Sequence, residues 1–251
     1  MPRKSQTSTE SFRSLLSILA LGFFVRFFVL SPFVIPSGSM IPSMLVGDFL
    51  FVTPFSYGFS KLTLPFGYYL PGLKGRIFQF QEPTPGKPIV FRPTDNPKID
   101  YVKRLIAVPG ETVQLKDGYL FINGKKCPVQ RVGLYEERAE EGGRFIYGTV
   151  YKQTLPNGAI RPFLKQQPFG AAPYDNTPAL TVPKNHYFVM GDNHDGSLDS
   201  RAMHAIGFVH RDNIIGTPLI TFFSLDGRAR FWQVWKWPTS LRLSRFFKLL
   251  C

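Results

Sequence analysis

The sequence predicts a mainly β protein: an antiparallel β-sheet domain with a β-rich insertion, anchored by one N-terminal transmembrane helix. Three observations lead there. The 251 residues include 22 Gly and 22 Pro, which break helix interiors and argue against a helix bundle. Short apolar runs punctuated by Pro-Gly, Asp-Gly and Asn-Gly fill the middle of the chain, as turns between antiparallel strands do. One long apolar run near the N-terminus stands apart from this pattern.

That run, SLLSILALGFFVRFFVLSPF, covers residues 14–33, roughly the 20 residues a membrane helix needs. Arg26 interrupts it, at about 2.5–3.5 kcal/mol near a helix centre and less when it snorkels. The leucines and phenylalanines around it outweigh that penalty. Residues 1–13 form a basic tail, with Arg3, Lys4 and Arg13 against Glu10. The positive-inside rule keeps this tail in the cytoplasm and sends residues 34–251 across. A cleavable signal peptide would have a shorter apolar core and a small-x-small site. Here LSPFVIPSGS follows, rich in large residues and prolines, which favours an uncleaved anchor.

The next stretch, VIPSGSMIPSMLVGDFLFV, holds Ser37, Gly38, Ser39 and Met40 between Pro36 and Pro42, then a short strand over residues 49–52. A linker, a cap and a nucleophile held at a membrane surface all fit that composition. TPFSYGFSKLTLPFGYYLPGLKGRIF reads as an extended loop with exposed apolar surface, and KPIVFRP as a short strand. IDYVKRLIAVPGETVQLKDGYLFINGKKCPV predicts a strand, a Pro109-Gly110 turn, a strand, and hairpins at Asp117-Gly118 and Asn123-Gly124. Residues 130–180 are polar and Gly-rich with little periodicity and read as an irregular insertion. HYFVMGDN is a strand entering a loop, and GFVHRDNIIGTPLITFFSL gives two final strands.

The formal charge of +13 suits nucleic acid or anionic lipid alike. Its position is more informative. Residues 228–251 contain Arg228, Arg230, Lys236, Arg242, Arg245 and Lys248, with Trp232, Trp235, Trp237, Phe246 and Phe247 among them and no acid. Either a basic helix packed on its own domain or a lipid headgroup contact fits this tail. No nucleic-acid recognition motif appears, and an extracytoplasmic domain would not meet nucleic acid. Cys127 and Cys251 form no framework and carry no assigned chemistry.

In IDYVKRLIAVPG, alternation sends Tyr101, Lys103, Leu105 and Ala107 to one face and Val102, Arg104, Ile106 and Val108 to the other. Both faces are apolar, so one basic residue enters each buried layer. Arg104 cannot lose its proton and must find a carboxylate. Lys103 can deprotonate, and a neutral amine beside a serine hydroxyl is a general base. The alternative is a lysine that snorkels to the strand edge. The loop GDNHDGSLDSR offers Asp192, Asp195 and Asp199, but it fails the EF-hand pattern, because Ala202 falls at the bidentate position. No G-x-S-x-G elbow and no P-loop occur. The remaining reading is a structural loop whose aspartates receive Arg104 and Arg201, with Ser197 placing a hydroxyl near the lysine. No metal and no cofactor is expected.

PSGSMIPSMLVGD, DYVKRLIAVPGE and GDNHDGSLDSR, in this order after an anchor, resemble bacterial type I signal peptidase, a Ser–Lys serine protease of the inner membrane. The resemblance covers most of the chain and is weak over about residues 125–182, where the family varies. It implies that Ser39 is the nucleophile and Lys103 its general base. The Ser39 N–H and the Ser37 hydroxyl would hold the oxyanion, and Ser197 would orient the amine. Asp192 would pair with Arg104, and Asp199 with Arg201. Phe33, Ile35, Pro36, Met40, Tyr101 and Val102 match positions lining shallow pockets for small side chains, which implies cleavage of signal peptides after Ala-x-Ala-like sites. The chain departs from the family pattern in PGKPIVF, in His194 and Gly196 where Arg and Asn are usual, and in the longer RAMHAIGFV spacing. None of these touches the Ser–Lys pair.

Overall fold

The apolar run folds as an α-helix, Ser8–Phe24, whose last turn widens over Val25–Val29. The computed structural model describes residues 8–64, 75–93, 99–138, 145–226, 229 and 232–250. The segment Glu10–Val29 has a mean hydropathy of 1.8, and none of it is buried against the rest of the protein. Its 20 residues, at 1.5 Å each, reach about 30 Å, the thickness of a bilayer core. The expected span of 14–33 runs too far at its C-terminal end. Ser31–Val34 is instead a strand, with Phe33 opposite Leu50 of Asp48–Thr53. Pro32 has no N–H to donate, which an edge strand tolerates and a helix interior does not.

The central sheet is antiparallel. Its strands run in the spatial order Ser31–Val34, Asp48–Thr53, Ile214–Ser224, Pro88–Phe91, Tyr101–Ala107, His186–Met190 and Val209–His210. Lys248–Leu249 also pairs with Ile214–Ser224, so a third late strand follows the two expected. Tyr101–Ala107 lies inside the sheet, bonded on both sides, and its last five residues are buried. Leu105 packs with Ile89, Phe91 and Val189 on one face, and Ile106 packs with Leu115, Leu120 and Phe188 on the other. Each such side chain contributes about 1.5–3 kcal/mol when taken from water.

The hairpin turns are where the sequence places them. Asp117 and Gly118 have φ of 48° and 75°, and Asn123 and Gly124 have 51° and 76°. Two left-handed residues in succession match the twist of the flanking strands. The stretch read as irregular is a three-stranded sheet of Val129–Arg138, Phe145–Thr154 and Ile160–Lys165. Its inner face packs Tyr135, Ile146 and Val150 on Ile41, Leu45 and Leu164, while Leu134 and Tyr147 point outward. Apolar residues on both faces and interspersed glycines erase the alternation that would have revealed it.

The aromatic stretch after Thr53 contains a two-stranded pair, Phe59–Ser60 with Arg76–Ile77. The rest of that expected loop, residues 65–74, lies outside the described residues. Over residues 232–250 the tail is not one basic helix. It is three short turns, Val234–Lys236, Trp237–Ser240 and Leu243–Arg245, before Lys248–Leu249. Arg245 is buried, with Nε 2.8 Å from Asp48 Oδ1, and Arg242 reaches Glu137 at 2.8 Å. Arg228 and Arg230 lie outside the described residues.

Candidate active site

Ser39 sits in a tight turn, Gly38–Met40, packed against Tyr101–Ala107. Met40 is buried with Ile35, Met44 and Leu50, and Val102 joins that cluster, so the turn is pinned beside the strand that carries Lys103. Ser39 is half-buried and Ser37 is exposed, with their hydroxyl oxygens 3.5 Å apart. The Ser39 carbonyl accepts from the Asn193 N–H at 3.0 Å, and Asn193 Nδ2 donates to the Gly38 carbonyl at 3.3 Å. The acidic loop therefore grips the backbone of the serine turn.

Phe33, Ile35, Pro36, Met40, Tyr101 and Val102 all line one cavity of about 220 Å³ together with Ser37 and Ser39. Val34, Ile99 and Asp100 complete the lining. The sequence reading missed these three, although Val34 and Asp100 each adjoin a residue it named and Ile99 lies two positions from Tyr101. The cavity lies between two extended segments, around Phe33–Pro36 and Ile99–Val102. An extended peptide laid there has backbone on both sides and a largely apolar lining.

Lys103 is only 2% exposed. Among the described residues it forms no ion pair, although Asp192 and Asp199 both lie in its field. Burial pushes its amine down from 10.5 to about 8; Asp199 opposes that, Arg201 reinforces it, and Asp192 opposes it. A lysine that titrates near neutrality can take up and release a proton.

The two nearby carboxylates are held by arginines. Arg104 Nε and Nη2 lie 2.8 and 2.6 Å from the two Asp192 oxygens, and Arg104 Nη2 also reaches Ser43 Oγ at 3.1 Å. Arg201 grips Asp199 through two contacts of 2.8 Å. Burial alone would raise the Asp199 carboxyl, but Arg201, the Gly191 N–H and Lys103 together hold it below the usual range. Arg104 is raised, since Asp192 outweighs the burial that would lower it. Arg104→Met would leave Asp192 without its bidentate partner. We expect a loss of about 3–5 kcal/mol, read as a lowered midpoint in urea unfolding.

The Ser197 hydroxyl is buried and makes no hydrogen bond among the described residues, so no direct bond to Lys103 is formed. It lies against Gly191. A Cβ at Gly191 would stand 2.2 Å from Ser197 Oγ and 2.5 Å from the Ser39 carbonyl oxygen. Only a bare α-carbon allows this approach. The sequence reading also missed Ser43, Asn193 and a buried cluster in which Lys165 Nζ meets Asp175 at 2.8 Å and Asp195 at 2.6 Å. Lys165 and Asp175 belong to the insertion, where no local pattern marked them. Among the described residues, no three His, Cys, Asp or Glu side chains gather as a metal site.

A half-buried serine on a turn packed against the strand of a buried, unpaired lysine can support acyl transfer without a histidine. Residues 8–223 match the family described as "Signal peptidase, peptidase S26". The chain belongs to the signal peptidase family. The signal peptidase I of Rickettsia typhi is 36% identical over 263 residues, covering 99% of this chain and 96% of that protein. That of Rickettsia prowazekii is 36% identical, covering 98% and 95%. A solved signal peptidase I from Enterococcus faecalis V583 is 28% identical, covering 55% of this chain and 98% of that one with a TM-score of 0.31. As a member of the signal peptidase family this chain is a serine endopeptidase of the signal peptidase I type, and its outward-facing apolar helix is consistent with membrane anchoring.

Proposed function

We propose that this enzyme removes N-terminal signal peptides from secretory preproteins at a membrane surface, with Ser39 as nucleophile and Lys103 as general base. The observation that carries the proposal is the buried Lys103 amine, unpaired and lowered to about 8, on the strand against which the Ser39 turn packs. Neutral Lys103 accepts the Ser39 hydroxyl proton as Oγ attacks the scissile carbonyl. The developing oxyanion is met by the Ser39 N–H and the Ser37 hydroxyl. The C–N bond then breaks, and the proton passes from Lys103 to the leaving amine. Water, deprotonated by Lys103, attacks the ester, and Lys103 returns that proton to Ser39 Oγ as the C–O bond breaks and the new carboxylic acid leaves.

The cavity of about 220 Å³ is apolar and shallow, which favours small side chains at the two positions that enter it and supports Ala-x-Ala-like sites. In this reading residues 1–13 stay in the cytoplasm, the helix crosses the inner membrane, and residues after it form the extracytoplasmic catalytic domain. The insertion occupies about 125–182 and the membrane-proximal tail 228–251. The reaction requires no metal and no nucleic acid.

The domain also touches lipid beyond its anchor in this reading. Trp232, Trp235 and Phe247 of the tail are 65%, 69% and 72% exposed, and Lys236 stands among them. Because Ser31–Val34 belongs to the sheet, a chain beginning at Leu30 keeps the domain whole and tests this. We expect it to sediment with anionic liposomes and to lose most of that binding on Trp232→Ser with Trp235→Ser. A soluble, unbound domain would remove the lipid contact from the proposal.

A further inference from the structure

The insertion delivers a charged side chain to the back of the site. Arg161, on Ile160–Lys165, is fully buried at 0% exposure. Its Nε and Nη2 donate to Gln153 Oε1 at 3.0 and 2.6 Å, and Nη2 lies 3.1 Å from His194 Nε2. Its Nη1 lies 3.8 Å from Asp192 Oδ1, the oxygen that also receives Arg104 Nε. His194 stacks on Phe163 with ring centroids 4.2 Å apart. The same strand is stitched to the acidic loop by backbone bonds, Leu164 N–H to the Asp192 carbonyl at 2.7 Å and His194 N–H to the Leu164 carbonyl at 3.0 Å. Asn193, between Asp192 and His194, holds the Ser39 carbonyl.

A guanidinium so thoroughly desolvated is expensive unless its charge is used. Burial lowers Arg161 to about 10; Asp192 opposes this, while Arg104 and Arg201 add to it. Gln153 and His194 are neutral neighbours; burial and then the charges of Arg161, Arg201 and Lys165 hold His194 well below its usual range. Among the described residues the one carboxylate within 4 Å of it is Asp192, which also lies in the field of Lys103.

We propose that Arg161 is a positioning residue of the reaction: it fixes His194 and the acidic loop, and it offsets the Asp192 charge that Lys103 would otherwise feel more strongly. The proposal rests on Lys103 being the base. Lys103 faces Asp192, Asp199 and Arg201, and Arg161 acts on it through the first of these. Loss of the guanidinium leaves Asp192 less neutralised, which favours protonated Lys103. The remaining direct effect of a distant positive charge has the same sign. The insertion thereby takes part in setting the working pH of a site to which it adds no reacting group.

The test is the pH profile of kcat/KM for the full-length, detergent-solubilised enzyme on a fluorogenic Ala-Xaa-Ala peptide. Ser39→Ala serves as the blank. In Arg161→Gln the rising limb is expected to move up by roughly half a pH unit or more, as for a unit charge removed at an effective dielectric of about 20. Part of the lost activity should return at high pH. Arg161→Lys keeps the charge, so its limb should stay at the wild-type midpoint even if kcat falls. Should Arg161→Gln fail to fold, the exchange Arg161→His with His194→Arg carries the test. It keeps one cation and one imidazole in the same space, and it should hold the wild-type midpoint. A folded Arg161→Gln with an unmoved midpoint overturns the proposal, as does a folded exchange variant whose midpoint shifts. Cleavage surviving in Ser39→Ala would instead sink the Ser–Lys reading itself.

Discussion

Lys103→Met is expected to lower kcat by roughly 10²–10⁴-fold or more while leaving the protein folded and, at neutral pH, no less stable. Methionine fills the same buried channel in the sheet without a charge to desolvate. The two readouts separate catalysis from structure. In the wild type, kcat/KM should climb as pH rises and level off above about 8, because the base works only when neutral. Stability has its own sign. The folded amine titrates at about 8 and the unfolded one near 10.5, so between those values the unfolded chain binds the extra proton. Stability attributable to Lys103 therefore rises with pH across that window and is lowest below it. The difference between wild type and Lys103→Met, followed by urea denaturation from pH 7 to 10.5, should show that slope. A variant with full activity would remove Lys103 from the chemistry, and a flat difference would mean that its amine is not held near 8.

Gly191→Ala is expected to cost about 100-fold in kcat or more, out of proportion to the single methyl it adds. The new Cβ would lie 2.2 Å from Ser197 Oγ and 2.5 Å from the Ser39 carbonyl oxygen, well inside contact distance. Neither neighbour is a free chain end. Ser197 is buried, and the Ser39 carbonyl is already bonded to Asn193. Something must shift, and each available shift moves the serine turn or the acidic loop. A displacement near 1 Å in a site of this kind reduces rate by about two decades. Because the Arg104–Asp192 and Arg201–Asp199 pairs need not break, we expect the fold to survive. Near-native stability with impaired kcat and a modest change in KM is the predicted pattern. Wild-type kinetics would show that the gap beside Ser39 is looser than these distances imply.

Much of this was legible because it is local. Asp117-Gly118 and Asn123-Gly124 announce their own turns, and seven residues from Tyr101 to Ala107 reveal a strand buried on both faces. Lys103 and Arg104 stand out in that strand because each breaks an apolar layer. What was not legible is long-range. Arg245 and Asp48 are 197 residues apart, and nothing near either marks the pairing that ties the tail to the domain. Arg161 looked like one of many basic residues, since its burial depends on a sheet whose strands do not alternate cleanly. The apolar helix was recognisable from composition. Its end was misplaced because Phe33 and Val34 prolong the apolar run past Ser31 and Pro32, although they belong to a strand that pairs with Asp48–Thr53.

The account rests on Ser39 as the nucleophile of a signal peptide cleavage. The direct measurement is digestion of a secretory preprotein by the purified, detergent-solubilised chain, with the new N-terminus read by mass spectrometry, beside Ser39→Ala. We predict a single cut after a small-x-small site and a loss on the order of 10⁴-fold or more in the variant. An intact preprotein with folded wild-type enzyme, or equal cleavage by Ser39→Ala, would contradict it.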